Sequence, residues 1–158
     1  MSDAVKKPVQ DYVQIAKDYL RPVKFIEKQI QSIKKEISQL HSNITSIRAI
    51  DYSKERVSGG GMHVGIENSV ARFLDTAKEK DANIEQLTKQ YCEASTMIDS
   101  LTENIGAAIL RYEYLVGLTT EAAYDIVGFS ESQSKRYRKK ALEELGQMVA
   151  NINKNEPK

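Results

Sequence analysis

The chain has 158 residues, with 23 Lys and Arg against 22 Asp and Glu, giving a formal net charge of +1. That length suits one domain, or a small domain with a helical extension. Its 41% hydrophobic and 28% charged residues are enough to bury a core and solvate a surface, and near-neutrality means that any strong charge signal has to be local. Eight Gly and three Pro are sparse punctuation, with six of the glycines between Gly59 and Gly117, which favours long helices over a sheet. MSDAVKKP lacks the apolar run of a signal peptide, and no stretch approaches a membrane span. The single cysteine, Cys92, has no internal disulfide partner. It is expected to pack in the interior, and a reduced cytoplasm is the expected compartment.

From the first residues, Pro8–Leu20 has the spacing of a short amphipathic helix, with Val9, Tyr12, Val13, Ala16, Tyr19 and Leu20 on one side. Pro22 marks either a break or the first turn of the next element, where its missing N–H costs nothing. From there apolar residues recur in steps of three and four: Val23, Ile26, Ile30, Ile33, Ile37, Leu40, Ile44, Ile47. This is a coiled-coil seam, narrower than the face of a globular helix. His41 lies beside it without neighbouring Cys, His or acid of metal-ligand spacing, so no metal is expected there.

The helix is expected to fray near Ile50 or Tyr52, and Asp51–Gly65 (DYSKERVSGGGMHVG) reads as a loop. Its three successive glycines lack the Gly-Lys-Ser/Thr of a phosphate-binding loop and follow no strand, which leaves a flexible hairpin connection. Lys54, Arg56 and His63 make that loop a secondary candidate for nucleic-acid contact. A second seam follows: Val70, Phe73, Ala77, Lys80, Ile84, Leu87, Tyr91, Ala94, Ile98, Leu101, Ile105. Lys80 is its charged intruder, a residue type that costs stability at a seam and can set register or partner choice. Two seams joined by a loop predict an antiparallel helical hairpin. It serves either as an intramolecular scaffold or, by pairing with a second copy in a four-helix bundle, as the seat of a homo-oligomer. The second seam is expected to lead without a break into the helix that follows.

The stretch with the most specific signal is Asn104–Leu145. It reads as three short helices separated by two breaks. Gly117 ends the first, and Thr119 or Thr120 caps the second, a hydroxyl oxygen there accepting an orphaned helix N–H. Gly128-Phe129-Ser130 makes the turn, with Gly128 left-handed at the helix end and Ser130 capping the third helix. Within Glu131–Lys140 the basic residues Lys135, Arg136, Arg138, Lys139 and Lys140 face one acid, Glu131. A concentrated basic helix behind such a turn is the footprint of phosphate contact, with the first turn of that helix offered to base edges in the major groove. Nothing suggests catalysis: there is no HExxH, no CxxC, no Ser/His/Asp set, and His41 and His63 stand in different contexts. Neither an enzyme nor a cofactor is expected.

Leu118–Leu145 (LTTEAAYDIVGFSESQSKRYRKKALEEL) resembles, without gaps, the C-terminal helix-turn-helix of bacterial sigma factors, their region four, which reads the −35 promoter element. The matching residues are Leu118, Thr119, Glu121, Ile126, Gly128, Ser130, Lys135, Ala141, Leu142 and Leu145. Tyr124 departs from the Ala usual in such motifs, with Ala123 beside it as a compensating swap, and Ser134 departs from a buried branched apolar residue. With its N-terminal helical region, the Gly-rich loop and a second long helix, the layout over most of residues 10–148 is similar to phage-encoded proteins of the ArpU and RinA type. These are regarded as regulators of late or packaging genes in Gram-positive bacteria. The resemblance implies base reading by Glu131, Ser132 and Arg136, with Lys135 on the phosphate side.

The expectation is therefore an all-α protein. Residues 9–103 form a long antiparallel coiled-coil-like hairpin and oligomerisation region with a loop at 52–65. Residues 104–148 form a sigma-like helix-turn-helix, and 149–158 a tail. The expected function is sequence-specific binding of double-stranded DNA by a transcription regulator, an activator of phage late or packaging genes in the cytoplasm of a bacterial host, reading the major groove with helix 131–147. The DNA-binding candidates are Ser130, Glu131, Ser132, Gln133, Lys135, Arg136, Lys139 and Lys140. RNA polymerase is a candidate second partner; a membrane is not. The alternatives are a small terminase-like packaging component and an adaptor that holds polymerase without DNA.

Overall fold

A computed structural model describes residues 11–53 and 63–155, and these are helical throughout apart from short connections. The elements are α1 (Tyr12–Ser53), α2 (His63–Asp99), α3 (Asn104–Leu110), a π-helical turn (Arg111–Leu115), α4 (Thr120–Val127) and α5 (Glu131–Asn155). Among the described residues no helix is long and apolar enough to cross a membrane. Contacts divide the chain into two compact units, one of Met1–Phe25 with Gln90–Lys158 and one of Ile26–Lys89. That division does not fall at residue 103, because the described start of α1 and the end of α2 fold with α3–α5.

Asp11 starts α1, its carboxylate accepting from the Gln14 N–H at 3.2 Å, as a helix cap should. Pro8, Val9 and the Gly-rich segment 54–62 lie outside the described residues, so the connection expected there is bounded only by α1 ending at Ser53 and α2 starting at His63. Pro22 neither breaks the helix nor opens a new one; it sits inside α1. It removes one backbone bond, to the Asp18 carbonyl, but lies on the exposed face where water can satisfy that oxygen. Ala16, Leu20, Val23 and Ile26 are all buried, so the apolar stripe runs past Pro22 in phase.

In the Ile26–Lys89 unit the described seam residues are buried or half-buried. Ile44 and Ala77 are buried, while Ile30, Ile33, Ile37, Leu40, Ile47, Val70, Phe73, Ile84 and Leu87 are half-buried. Lys80 finds its partner in Glu36 of α1. Gln29, Ser32 and Ile33 share a groove with Asn83 and Leu87. Cys92, beyond this unit in the Gln90–Lys158 part of the other, corrects its sequence expectation. It is exposed, because it follows Tyr91 by one residue and so rotates off the stripe formed by Tyr91, Ala94 and Ile98.

In the other unit, α2 does not run on into α3. It ends at Asp99. The Ser100 hydroxyl donates to the Met97 carbonyl, and the Leu101 N–H closes a tight turn on Ile98 at 3.2 Å. The Thr102 N–H and hydroxyl donate to the two carboxylate oxygens of Glu144, at 2.8 and 3.0 Å. Local polar groups thus outcompete continuation of the helix, although Leu101 remains buried. The core gathers Leu20, Ile98, Ile109, Leu110, Leu142 and Leu145, all fully buried. Two crossings depend on glycine. A Cβ at Gly106 would meet the Tyr137 carbonyl and, at 2.6 Å, Ala141 Cβ; one at Gly146 would meet the backbone of Tyr12. Val149 and Ala150 are buried and α5 continues to Asn155, so the expected tail from 149 is mostly helix.

Burial raises the hydroxyl pKa of Tyr19, Tyr114 and Tyr124 above 10.0, reinforced by the charge of Glu93 at Tyr19 and of Glu113 at Tyr114. A raised acid holds its proton more tightly when folded, so this contribution to stability is complete below the unfolded value of about 10 and is lost above it. Melting temperature is expected to be insensitive to these groups up to about pH 9 and to fall as pH passes roughly 10 to 11. An unchanged melting temperature across that alkaline range would show that the three hydroxyls are solvated.

Candidate nucleic-acid interface

The α4–turn–α5 segment is built from local signals. The Thr119 hydroxyl accepts from the Ala122 N–H at 3.2 Å and caps α4. Gly117 and Gly128 have positive φ, 85° and 74°, the left-handed region that a side chain disfavours. The Gly128 N–H closes α4 on the Tyr124 carbonyl at 3.2 Å. Ser130 opens α5 in a reciprocal capping box: its hydroxyl accepts from the Gln133 N–H at 3.3 Å, and Gln133 Oε1 accepts from the Ser130 N–H at 3.3 Å and hydroxyl at 3.0 Å.

Helical phase then sorts α5 into two faces. Ser134, Ala141, Leu142 and Leu145 are buried, with Tyr137 and Arg138 partly covered; Glu131, Ser132, Lys135, Arg136, Lys139 and Lys140 are exposed. The structure thus gathers the sequence candidates on one solvent face, though several have partners there. Lys135 pairs with Glu131 at 2.5 Å, which draws the Glu131 carboxyl below and the Lys135 ammonium above their ordinary values through that hydrogen bond and charge. Lys139 lies 3.8 Å from Glu143. Arg136 stacks over Tyr137, 5.9 Å from the ring centre, and Phe129 meets the same ring edge-on at 5.5 Å. Among the described residues Lys140 has no ion pair. Ser130 and Gln133, although exposed, are occupied in the cap.

Arg138 is the correction to the charge count. Its guanidinium turns inward and grips the buried carboxylate of Glu113, Nε to Oε2 at 2.7 Å and Nη2 to Oε1 at 2.8 Å. Burial opposes the charge on Arg138, but the hydrogen bonds and the charge of Glu113 outweigh it and raise its pKa. Of the five cations between Glu131 and Lys140, four therefore face outward, Lys135, Arg136, Lys139 and Lys140, and Arg138 faces inward. Glu113 lies in the wider π turn, in which the Val116 N–H bonds to the Arg111 carbonyl at 3.0 Å, and Glu113, Tyr114 and Leu115 are buried there in succession. Sequence reading overlooked Glu113, although an acid four residues after Ile109 lies on an inward phase.

The departures at Tyr124 and Ser134 have different outcomes. Ala123 is fully buried and forms one apolar cluster with Ile109 and Tyr124. Ser134 is fully buried, and its hydroxyl is the buried side-chain polar atom without a partner among the described residues. Ser134→Ala removes a group that costs about 1–3 kcal/mol to desolvate, and is expected to stabilise the protein by about 1 kcal/mol in denaturant unfolding. A loss of stability would mean that the hydroxyl is bonded in solution.

Among the described residues no group of three His, Cys, Asp or Glu side chains is arranged to hold a metal ion. Comparison of the chain with protein-family models, with curated proteins and with solved structures found no match.

Proposed function

We propose that the chain is a sequence-specific DNA-binding transcription regulator, an activator of phage late or packaging genes, with α4, the Gly128–Ser130 turn and α5 acting as a sigma-like helix-turn-helix. The observation that carries this reading is the outward face of α5, where Lys135, Arg136, Lys139 and Lys140 stand exposed behind a capped turn. An α-helix with that charge fits the major groove and its flanking phosphates. Arg136 is the side chain best suited to a bidentate contact with guanine. Lys139 and Lys140 suit the phosphates.

The paired seams of α1 and α2 support a coiled-coil-like antiparallel hairpin. Their half-exposed isoleucines and leucines support a second copy as its partner, which suits a reader of two half-sites. Exposed Val116 and Ile126 favour, as a second reading, an adaptor that docks a protein such as RNA polymerase. The deciding experiment is selection of bound duplexes from a random pool at two salt concentrations. Enrichment of one motif at both salts is expected. Motif-free binding lost at moderate salt would reflect counterion release alone and sink the reading, while salt-insensitive binding to polymerase without duplex affinity would favour the adaptor.

A further inference from the structure

Arg138 is the basic side chain of α5 that faces away from the proposed DNA surface, and its partner is shared. Besides the two Arg138 bonds, Glu113 Oε1 accepts from the Thr120 hydroxyl at 3.1 Å. One buried carboxylate therefore joins the π turn, the first residue of α4 and the middle of α5. Side-chain exposure is 7% at Glu113 and 17% at Arg138, so the fork is shielded from competing water. A bidentate guanidinium–carboxylate pair has a fixed direction, whereas apolar side chains of the same volume tolerate sliding and rotation. At roughly 100° per residue, holding Arg138 inward sets Arg136 about 200° away, on the far side of the helix.

We propose that Glu113, with Thr120 and Arg138, is a clamp that fixes the rotation of α5 about its axis, and that Arg138 is thereby a positioning residue for base reading by Arg136. This rests on the DNA reading of the outward face. A buried pair of this kind gains little over well-packed apolar residues in net stability, while removing one partner strands the other. Geometry and stability are therefore separable by replacing both.

The full chain is compared with Arg138→Lys, which keeps the charge and loses the fork, and with the double variant Glu113→Leu/Arg138→Met. Three quantities are read: melting temperature, affinity for the wild-type selected duplex against a scrambled one at two salt concentrations, and the distance distribution between spin labels on α4 and α5. The labels are placed by Asp125→Cys and Lys140→Cys in a Cys92→Ser background, without DNA. The double variant is expected to melt within a few degrees of wild type. Its preference for the selected duplex is expected to fall roughly tenfold, the scale of one bidentate base contact, with scrambled-duplex affinity and salt slope unchanged and the label distances broadened. Arg138→Lys is expected to fall between the two. A double variant that keeps both preference and label distances overturns the clamp, as does a salt slope lower by about one, the mark of a phosphate contact. If the double variant does not fold, full preference in Arg138→Lys overturns it. If wild type prefers no duplex, the DNA reading fails, and the label distances then decide the clamp, unchanged distances overturning it.

Discussion

Gly106→Ala is expected to destabilise the protein by about 2 kcal/mol, although alanine is the better helix former by about 1 kcal/mol. The added methyl would sit 2.6 Å from Ala141 Cβ and 3.0 Å from the Tyr137 carbonyl carbon, beside the Tyr137 carbonyl oxygen. Backbone cannot rotate away as a side-chain tip can, so α3 and α5 must separate along their whole crossing. Overpacking of this kind costs roughly 1–3 kcal/mol and sometimes more. Gly65→Ala is the control: nothing lies within 4 Å of a Cβ there, in α2. It is expected to stabilise by about 0.5–1 kcal/mol through helix propensity alone. Paired denaturant titrations read both, with opposite signs expected. A Gly106→Ala variant as stable as wild type would mean that α3 and α5 do not cross at this glycine.

That crossing illustrates which parts of the molecule were legible in the residues. The two seams were, since steps of three and four mark a helix stripe whatever its partner, and the seam positions of the Ile26–Lys89 unit are buried or half-buried. The caps at Thr119 and Ser130 and the left-handed Gly128 were legible too, because each answers to a backbone group within four residues. The break after Asp99 was written in Ser100, Thr102 and Asn104, all capping residues, but the apolar step from Leu101 to Ile105 masked it. Pro22 misled for a different reason: its cost depends on whether the freed carbonyl faces water, a property of the assembled unit. The π turn has no Gly or Pro to announce it. It holds the buried carboxylate of Glu113, whose partner Arg138 lies 25 residues away. Counting charge along Glu131–Lys140 treated five cations as equivalent, and only the tertiary fold separates the inward one from the rest.

On the proposed reading, Arg136→Ala and the double variant Lys139→Gln/Lys140→Gln are expected to damage DNA binding in different ways. Arg136 is exposed, and its stacking on Tyr137 orients the guanidinium without neutralising it. Truncating it removes one bidentate base contact, about 1–3 kcal/mol of discrimination, or roughly ten- to hundredfold between the selected duplex and a single-base variant. Lys139 and Lys140 have little to hold them back: an exposed pair with Glu143 at 3.8 Å is worth at most about 1 kcal/mol, and Lys140 has no ion pair among the described residues. Removing both is expected to weaken binding to every duplex alike and to lower the slope of log affinity against log salt by about 1.8. Lys135 should matter less, since Glu131 holds it at 2.5 Å and a phosphate would have to displace that carboxylate. Titrations of the selected and single-base-changed duplexes across a salt series separate these effects. If Arg136→Ala lowers the salt slope while leaving discrimination intact, Arg136 is a phosphate contact and base reading belongs to the first turn of α5. If neither variant changes affinity, the outward face of α5 is not the surface that meets DNA.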